Sequence, residues 1–248
     1  MRKKWISSLL LSGCILLSGC NGQSQATAVE LNASTTASTV NLSDLFSDRD
    51  MEIGYDEETA VHITLSDNGS ISDSTAVTVQ ENTVTITDEG TYILSGTLSD
   101  GMIVVNAEDT DKIQLVLDGV DITSATSAAI YIPNADKVFI TTAADSINIL
   151  KNGGEYIAID DNNIDGVIFS KADLTLNGAG SLQIESTVEH GVVTKDDLVV
   201  TSGTYAITVA GHGLSGKDSV AISDGTFTLN TGKDGIQSDN EEGILQSC

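Results

Sequence analysis

The sequence predicts an all-β fold: a right-handed parallel β-helix, a solenoid of about 22 residues per coil, over residues 46–248, with coils evident from about Val77. Three observations carry this expectation. Related segments recur at intervals of 22 to 25 residues, and short apolar stretches within them alternate with period two. Glycine is frequent (23), while proline occurs once, at Pro133. Period-two apolar rows put one face of each strand inward. A coil of this length buries its inward row only by stacking on its neighbours. β-Branched residues mixed with Gly, Asn and Asp favour short strands joined by tight turns.

The first segment reads as an export signal over residues 1–20. Met1 to Lys4 is basic, and Trp5 to Leu17 is an apolar run too short to span a membrane with flanking charge. It closes in Leu17-Ser18-Gly19-Cys20, which resembles the lipobox of bacterial lipoproteins, so Cys20 is the expected lipid attachment point. Leu11-Ser12-Gly13-Cys14 has the same pattern, but cleavage there would leave a very short apolar core. The product is expected outside the cytoplasm, lipid-anchored at the outer face of the cell membrane or secreted. Residues 21–45, rich in Ser, Thr, Gln and Ala, have the composition of a flexible tether.

Charge narrows the partners. Eleven basic residues face 36 acidic ones. Without Arg2, Lys3 and Lys4 of the signal, eight basic residues remain, a formal charge of −28. Such a surface repels nucleic acid and anionic membranes and attracts cations, so membrane contact is expected through the lipid alone. The cysteines are Cys14, Cys20 and Cys248, which leaves no internal disulfide framework. Stacked coils or bound metal must supply rigidity instead.

The repeat is clearest in three segments: Asp165 to Leu176, His190 to Val200 and His212 to Ile222, with a fourth opening at Asp234-Gly235-Ile236. Matched positions are Gly166, Gly191, Gly213 and Gly235; Lys171, Lys195 and Lys217; and Gly180, Gly203 and Gly225. Inward rows are expected at Leu174/Leu176, Leu198/Val200 and Val220/Ile222, and again at Leu182/Ile184, Tyr205/Ile207/Val209 and Phe227/Leu229. Earlier strands fit more loosely: Lys112 to Leu117 and Lys137 to Ile140 lie 25 apart, and Ser146 to Leu150 adds another. Asn152 to Asp165 reads as a longer inserted loop. The chain ends at Cys248 as a further coil begins, so the sequence predicts a solenoid shortened at its C-terminus, without a cap.

Gly90 to Gly101, Val116 to Ile122, Ala135 to Ile140, Phe169 to Leu174, Ser202-Gly203-Thr204 and Asp234 to Asn240 together resemble the clostridial-type extracellular carbohydrate-binding β-helix proteins. The resemblance covers about Phe46 to Asn240. It implies a pectate-lyase-like β-helix, bound calcium, and affinity for plant cell-wall polysaccharide such as polygalacturonate or cellulose. Family coils carry Asp before the recurring Gly-Ile/Leu pair, as Asp165 and Asp234 do here. His190 and His212 stand in that place in two coils, which removes a carboxylate from the column.

Carboxylates recur beside the Lys columns. Asp173 and Asp197 share one offset, and Asp196 and Asp218 the next. Like charges stacked on adjacent coils are costly unless a cation lies between them. Calcium suits such a site, since it takes 6–8 hard oxygen ligands. The competing reading is a ladder in which Lys171, Lys195 and Lys217 neutralise the acids. Asp160, Asp161, Asn163 and Asp165 form a second oxygen cluster in the inserted loop, and Asp234 with Asp239 a third; a solvated acidic loop fits each equally. Neither has EF-hand spacing. His190 and His212 stack at one offset, without a third ligand in sight for zinc.

These features predict a surface lipoprotein that binds acidic polysaccharide through calcium without cleaving it. A calcium-dependent lyase would need a basic side chain as proton acceptor. The arginines, Arg2 and Arg49, fall outside the repeat, which leaves Lys171, Lys195 and Lys217 as candidates. A stalk or adhesin repeat with no glycan ligand is the third reading. Trp5 is the sole tryptophan and the tyrosines do not recur at one offset, so a row of exposed aromatics for crystalline glucan is not expected.

Overall fold

The computed structural model of the chain describes residues 45–240 and 245–246. The expected signal, Cys20 and most of the tether lie outside the described residues. The strands among them, in chain order, are β1 (Val61–Leu65), β2 (Val77–Gln80), β3 (Thr83–Ile86), β4 (Gly90–Leu98), β5 (Met102–Asn106), β6 (Lys112–Ser124), β7 (Ile130–Asn134), β8 (Lys137–Thr142), β9 (Ile147–Asn152) and β10 (Gly166–Ser170). There follow β11 (Asp173–Gly178), β12 (Ser181–Ser186), β13 (His190–Thr194), β14 (Asp197–Val200), β15 (Thr204–Val209), β16 (Leu214–Gly216), β17 (Ser219–Ile222), β18 (Thr226–Thr231), β19 (Ile236–Ser238) and β20 (Leu245–Gln246).

These strands make two sheets. The larger has 12 strands, in the order β18-β15-β12-β9-β6-β8-β11-β14-β17-β20, with β4 beside β6 and β1 beside β4. The smaller has eight, in the order β19-β16-β13-β10-β7-β5-β3-β2. The single right-handed parallel β-helix expected from the repeat is therefore not the architecture. A curled sheet is closed by a second, mixed sheet across a shared core, in a sandwich-like arrangement.

Two features overturn the uniform solenoid. The long strand β6 runs unbroken: Lys112–Leu117 pairs with β8, and Asp121–Ser124 pairs with β9, so the larger sheet turns through one strand. Between these halves Gly119 takes a φ of +77°, a conformation that costs glycine little, and the chain bends there. The smaller sheet ends in an antiparallel hairpin, β2 against β3, with no counterpart in the repeat.

The repeat reports something narrower than the fold: parallel pairing between successive segments. Leu174 faces Leu198, Leu198 faces Val220, and Tyr205 faces Phe227, as the spacing predicts. One column is out of step. Gly166 lies opposite His190, not Gly191, whereas Val192 lies opposite Leu214. Pairing in this rung follows the 24-residue spacing of the Lys and Asp columns.

The core is the inward rows: Ile113, Leu115 and Leu117 of β6 with Leu174, Leu176, Leu198, Val200 and Ile207, all at most 1% exposed. Polar groups are buried with them, and the largest network centres on one carboxamide. Asn148, wholly buried, accepts the amides of Gly119 (2.9 Å) and Val120 (3.1 Å) and donates to Ser146 Oγ (2.8 Å) and the Ser181 carbonyl (3.1 Å). That side chain pins the bend of β6, since an unpaired amide here would cost about 1–3 kcal/mol.

Candidate cation site

Strand starts set the geometry of the site. Lys137, Asp173, Asp197 and Ser219 open β8, β11, β14 and β17, and the parallel register lays each beside the next. Asp196 precedes Asp197 in the turn. Each residue sits where its backbone leaves the smaller sheet, so its side chain can point out of the core. Carboxylates of Asp173, Asp196 and Asp197 converge there, with one oxygen of each within 4.8 Å of the others.

The near surroundings favour a charged ligand. Ser219 Oγ donates to Asp197 Oδ1 at 2.7 Å, and the amide of Asp197 donates to Asp173 Oδ1 at 3.3 Å. Burial and the neighbouring Asp196 raise the Asp173 carboxyl to a pKa of about 6, although Lys137 pulls the other way. Three half-buried carboxylates that repel one another can share a proton or bind a cation. The donor set fits a hard divalent ion, to which these residues and the Ser219 hydroxyl would offer oxygen ligands.

The structure also places the Lys columns. Lys195 Nζ lies 3.7 Å from Asp165 Oδ1, and Lys217 Nζ lies 3.8 Å from Asp218 Oδ1. Among the described residues no ion pair reaches Asp173, Asp196 or Asp197. Lys137 acts on Asp173 through its charge, but its Nζ is held 2.8 Å from Asp50 Oδ1.

The remaining expected ligands are dispersed. Asp160 accepts the Tyr131 hydroxyl, which, against a small burial effect, holds its carboxyl below the usual range, and accepts the Asn162 amide at 2.7 Å. Asp161 is exposed. Asn163 Nδ2 reaches Asp165 Oδ2 at 3.4 Å, while burial pushes the Asp165 carboxyl upward. Asp218 is taken by Lys217, Asp234 lies 3.5 Å from His212 Nδ1, and Asp239 accepts from Gln237 Nε2. Among the described residues, only Asp173, Asp196 and Asp197 come together as a ligand group.

Asp50 was not foreseen. It is 2% exposed and lies beside the site, in a cleft of about 240 Å³ shared with Ser47, Lys137, Asp173, Asp197 and Ser219. Burial would raise its carboxyl, but bonds from Lys137, Thr175 and Ser47 hold it below the ordinary range. Its only local signal is Ser47-Asp48-Arg49-Asp50, the spacing of a capping box. Ser47 N donates to Asp50 Oδ2 at 2.9 Å, and Asp50 N to Ser47 Oγ at 3.3 Å.

Fold and site together define an all-β scaffold that gathers a cluster of carboxylates at the starts of parallel strands. Residues 80–246 match the family described as carbohydrate-binding domain-containing protein, and the chain belongs to that family. A protein of the same description from Acetivibrio thermocellus is 38% identical over 133 residues, 53% of this chain and 46% of its own length. The chain thus spans about half the length of that relative. A solved structure, a polysaccharide lyase-like protein from C. thermocellum in a gadolinium derivative, superposes with a TM-score of 0.71 at 36% identity. The match covers 73% of this chain and 75% of that one.

Proposed function

We propose that this chain is a bacterial surface lipoprotein, anchored through Cys20, that binds acidic cell-wall polysaccharide of the polygalacturonate type through calcium and does not cleave it. Family membership supports a polysaccharide partner in general terms. The observation that carries the finer reading is the convergence of Asp173, Asp196 and Asp197. A chain with 36 acidic residues repels a polyuronate unless a cation bridges the two. Calcium held by these carboxylates would keep open coordination positions for a uronate carboxylate. Extracellular calcium modules work at roughly 10⁻⁴–10⁻³ M, and three carboxylates without a closed cage suit that range.

The non-catalytic part rests on Lys137. A lyase of this kind needs a free base beside the cation to remove the uronate α-proton. Lys137 is the basic group of this cleft, and its ammonium is ion-paired with a buried carboxylate.

Retention on immobilised polygalacturonate in calcium and in excess chelator tests the reading. Binding is expected in calcium and lost in chelator, and lost in both for Asp173→Asn/Asp197→Asn. Equal retention in chelator rejects the bridge. Appearance of unsaturated oligosaccharide would replace the binder with the lyase.

A further inference from the structure

The strap over residues 45–52 crosses the outward face of the larger sheet, where it meets donors from three successive rungs. Asp50 Oδ1 receives Lys137 Nζ at 2.8 Å and Thr175 Oγ1 at 2.5 Å. The Asp50 carbonyl receives Thr201 Oγ1 at 2.7 Å and Asn177 Nδ2 at 3.2 Å. One residue before Asp50, the Arg49 guanidinium lies over the Phe139 ring, 4.4 Å from its centroid, and Phe139 is left 1% exposed.

Consider what the strap covers. Thr175 and Asn177 alternate with the core residues Leu174 and Leu176, and Phe139 alternates with Val138 and Ile140, so all three face away from the core. Beneath the strap lie one aromatic face, one ammonium, two hydroxyls and two carboxamides, that of Asn177 and that of Gln114, whose Oε1 accepts from Arg49 at 3.0 Å. That set matches the groups that hold an acidic sugar ring: a stacking surface, a cationic partner for the carboxylate, and neutral donors for ring oxygens. Lys137 and Asp50 share a cleft with Asp173 and Asp197, whereas Phe139 and Arg49 line a second one; Lys137 Nζ, 5.7 Å from the Phe139 centroid, joins the two. Donors buried in this way need acceptors, and Asp50 supplies them through its carboxylate and carbonyl. A buried ion pair gives little net stability over an apolar replacement, so its presence here calls for another reason.

We propose that the pocket filled by Asp50 is a carboxylate subsite for a hexuronate residue, that Phe139 is its stacking platform, and that the strap occupies both as an internal stand-in for the ligand. The inference deepens the acidic-glycan reading and rests on it. In this arrangement the glycan must displace Asp50 from Lys137 and Arg49 from Phe139; the uronate carboxylate takes the place of Asp50, so the Lys137 ammonium stays paired and is not a free base. The strap therefore lowers the apparent affinity by the fraction of time it is closed.

The test uses the full chain in excess chelator, so that cation bridging does not contribute. Arg49→Ala/Asp50→Ala is expected to bind oligogalacturonate about tenfold or more tightly than the wild type, and neutral oligogalactose no better. Adding Lys137→Met to that variant is expected to abolish the gain. No gain, an equal gain for oligogalactose, or a gain that survives Lys137→Met overturns the proposal. Loss of binding in calcium-free wild type alone bears on the bridge and leaves this result separate. If the double variant does not fold, hydrogen exchange of the wild-type Asp50 amide decides. Saturating oligogalacturonate with calcium is expected to speed that exchange, and an unchanged or slower rate overturns the proposal.

Discussion

The imidazole rings of His190 and His212 are stacked, with centroids 4.9 Å apart and planes inclined by 16°. His190 Nδ1 accepts the amide of His212 at 2.8 Å, and His212 Nδ1 accepts the amide of Asp234 at 3.1 Å. Both rings thus act as acceptors at Nδ1, which requires them to be neutral with the proton on Nε2. They form a ladder that ties the amides of successive rungs, not a metal site.

Acid should loosen this ladder. Burial holds the His190 pKa below its ordinary value of 6.5, and His212 pushes it the same way, while Asp165 and Glu189 oppose the shift. A folded-state pKa below the unfolded one means stability is fully present above about pH 6.5 and declines as pH falls through the folded value. Exchange of the His212 amide, corrected for intrinsic rate, is expected to be faster at pH 5 than at pH 7.5. His190→Phe should remove the pH dependence and cost about 1–3 kcal/mol, because the amide loses its acceptor.

Asp173 works in the opposite sense. Its pKa of about 6 exceeds the ordinary 3.8, so the folded chain without cation binds a proton that the unfolded chain has lost. Its contribution falls as pH rises from about 4 to about 6 and is constant beyond. A cation must displace that proton. The calcium-induced rise in melting temperature is therefore expected to be smaller at pH 5 than at pH 7.5, and Asp173→Asn should abolish it at both.

Two glycines separate backbone strain from steric exclusion. Gly178 has a φ of +120°, and a Cβ there would sit 2.3 Å from the Thr142 carbonyl oxygen and 2.4 Å from its nitrogen. Gly69 has a φ of +110° with nothing within 4 Å of the same position. Gly69→Ala should cost about 1–2 kcal/mol from conformation alone. Gly178→Ala should exceed about 4 kcal/mol, since the neighbouring rung cannot yield, and urea midpoints of the two variants check the difference.

What the sequence made legible follows from the kind of information each residue carries. Period-two rows such as Leu198/Val200 and Val220/Ile222 reveal inward faces, and their spacing reveals which strands pair. The same rows are silent on how sheets join, because the turn through β6 depends on one glycine conformation and on Asn148, 29 residues from Gly119. Asp173, Asp196 and Asp197 could be grouped from offsets because parallel register converts spacing into proximity. Asp50 could not, because its bond to Thr175 joins residues 125 apart across no repeat. The one-place error at Gly166 shows the limit of aligning glycines: hydrogen bonding, not residue type, sets the register.

In the proposed mode of binding, Asp173, Asp196 and Asp197 hold a divalent cation that bridges to a glycan. Crystals of the full chain soaked in calcium, with diffraction data collected for anomalous signal, test it most directly. A peak bonded to oxygens of these three carboxylates is expected, and its loss in Asp173→Asn/Asp197→Asn. A structure in calcium with no ion at this cluster, or with ions only elsewhere, would contradict it.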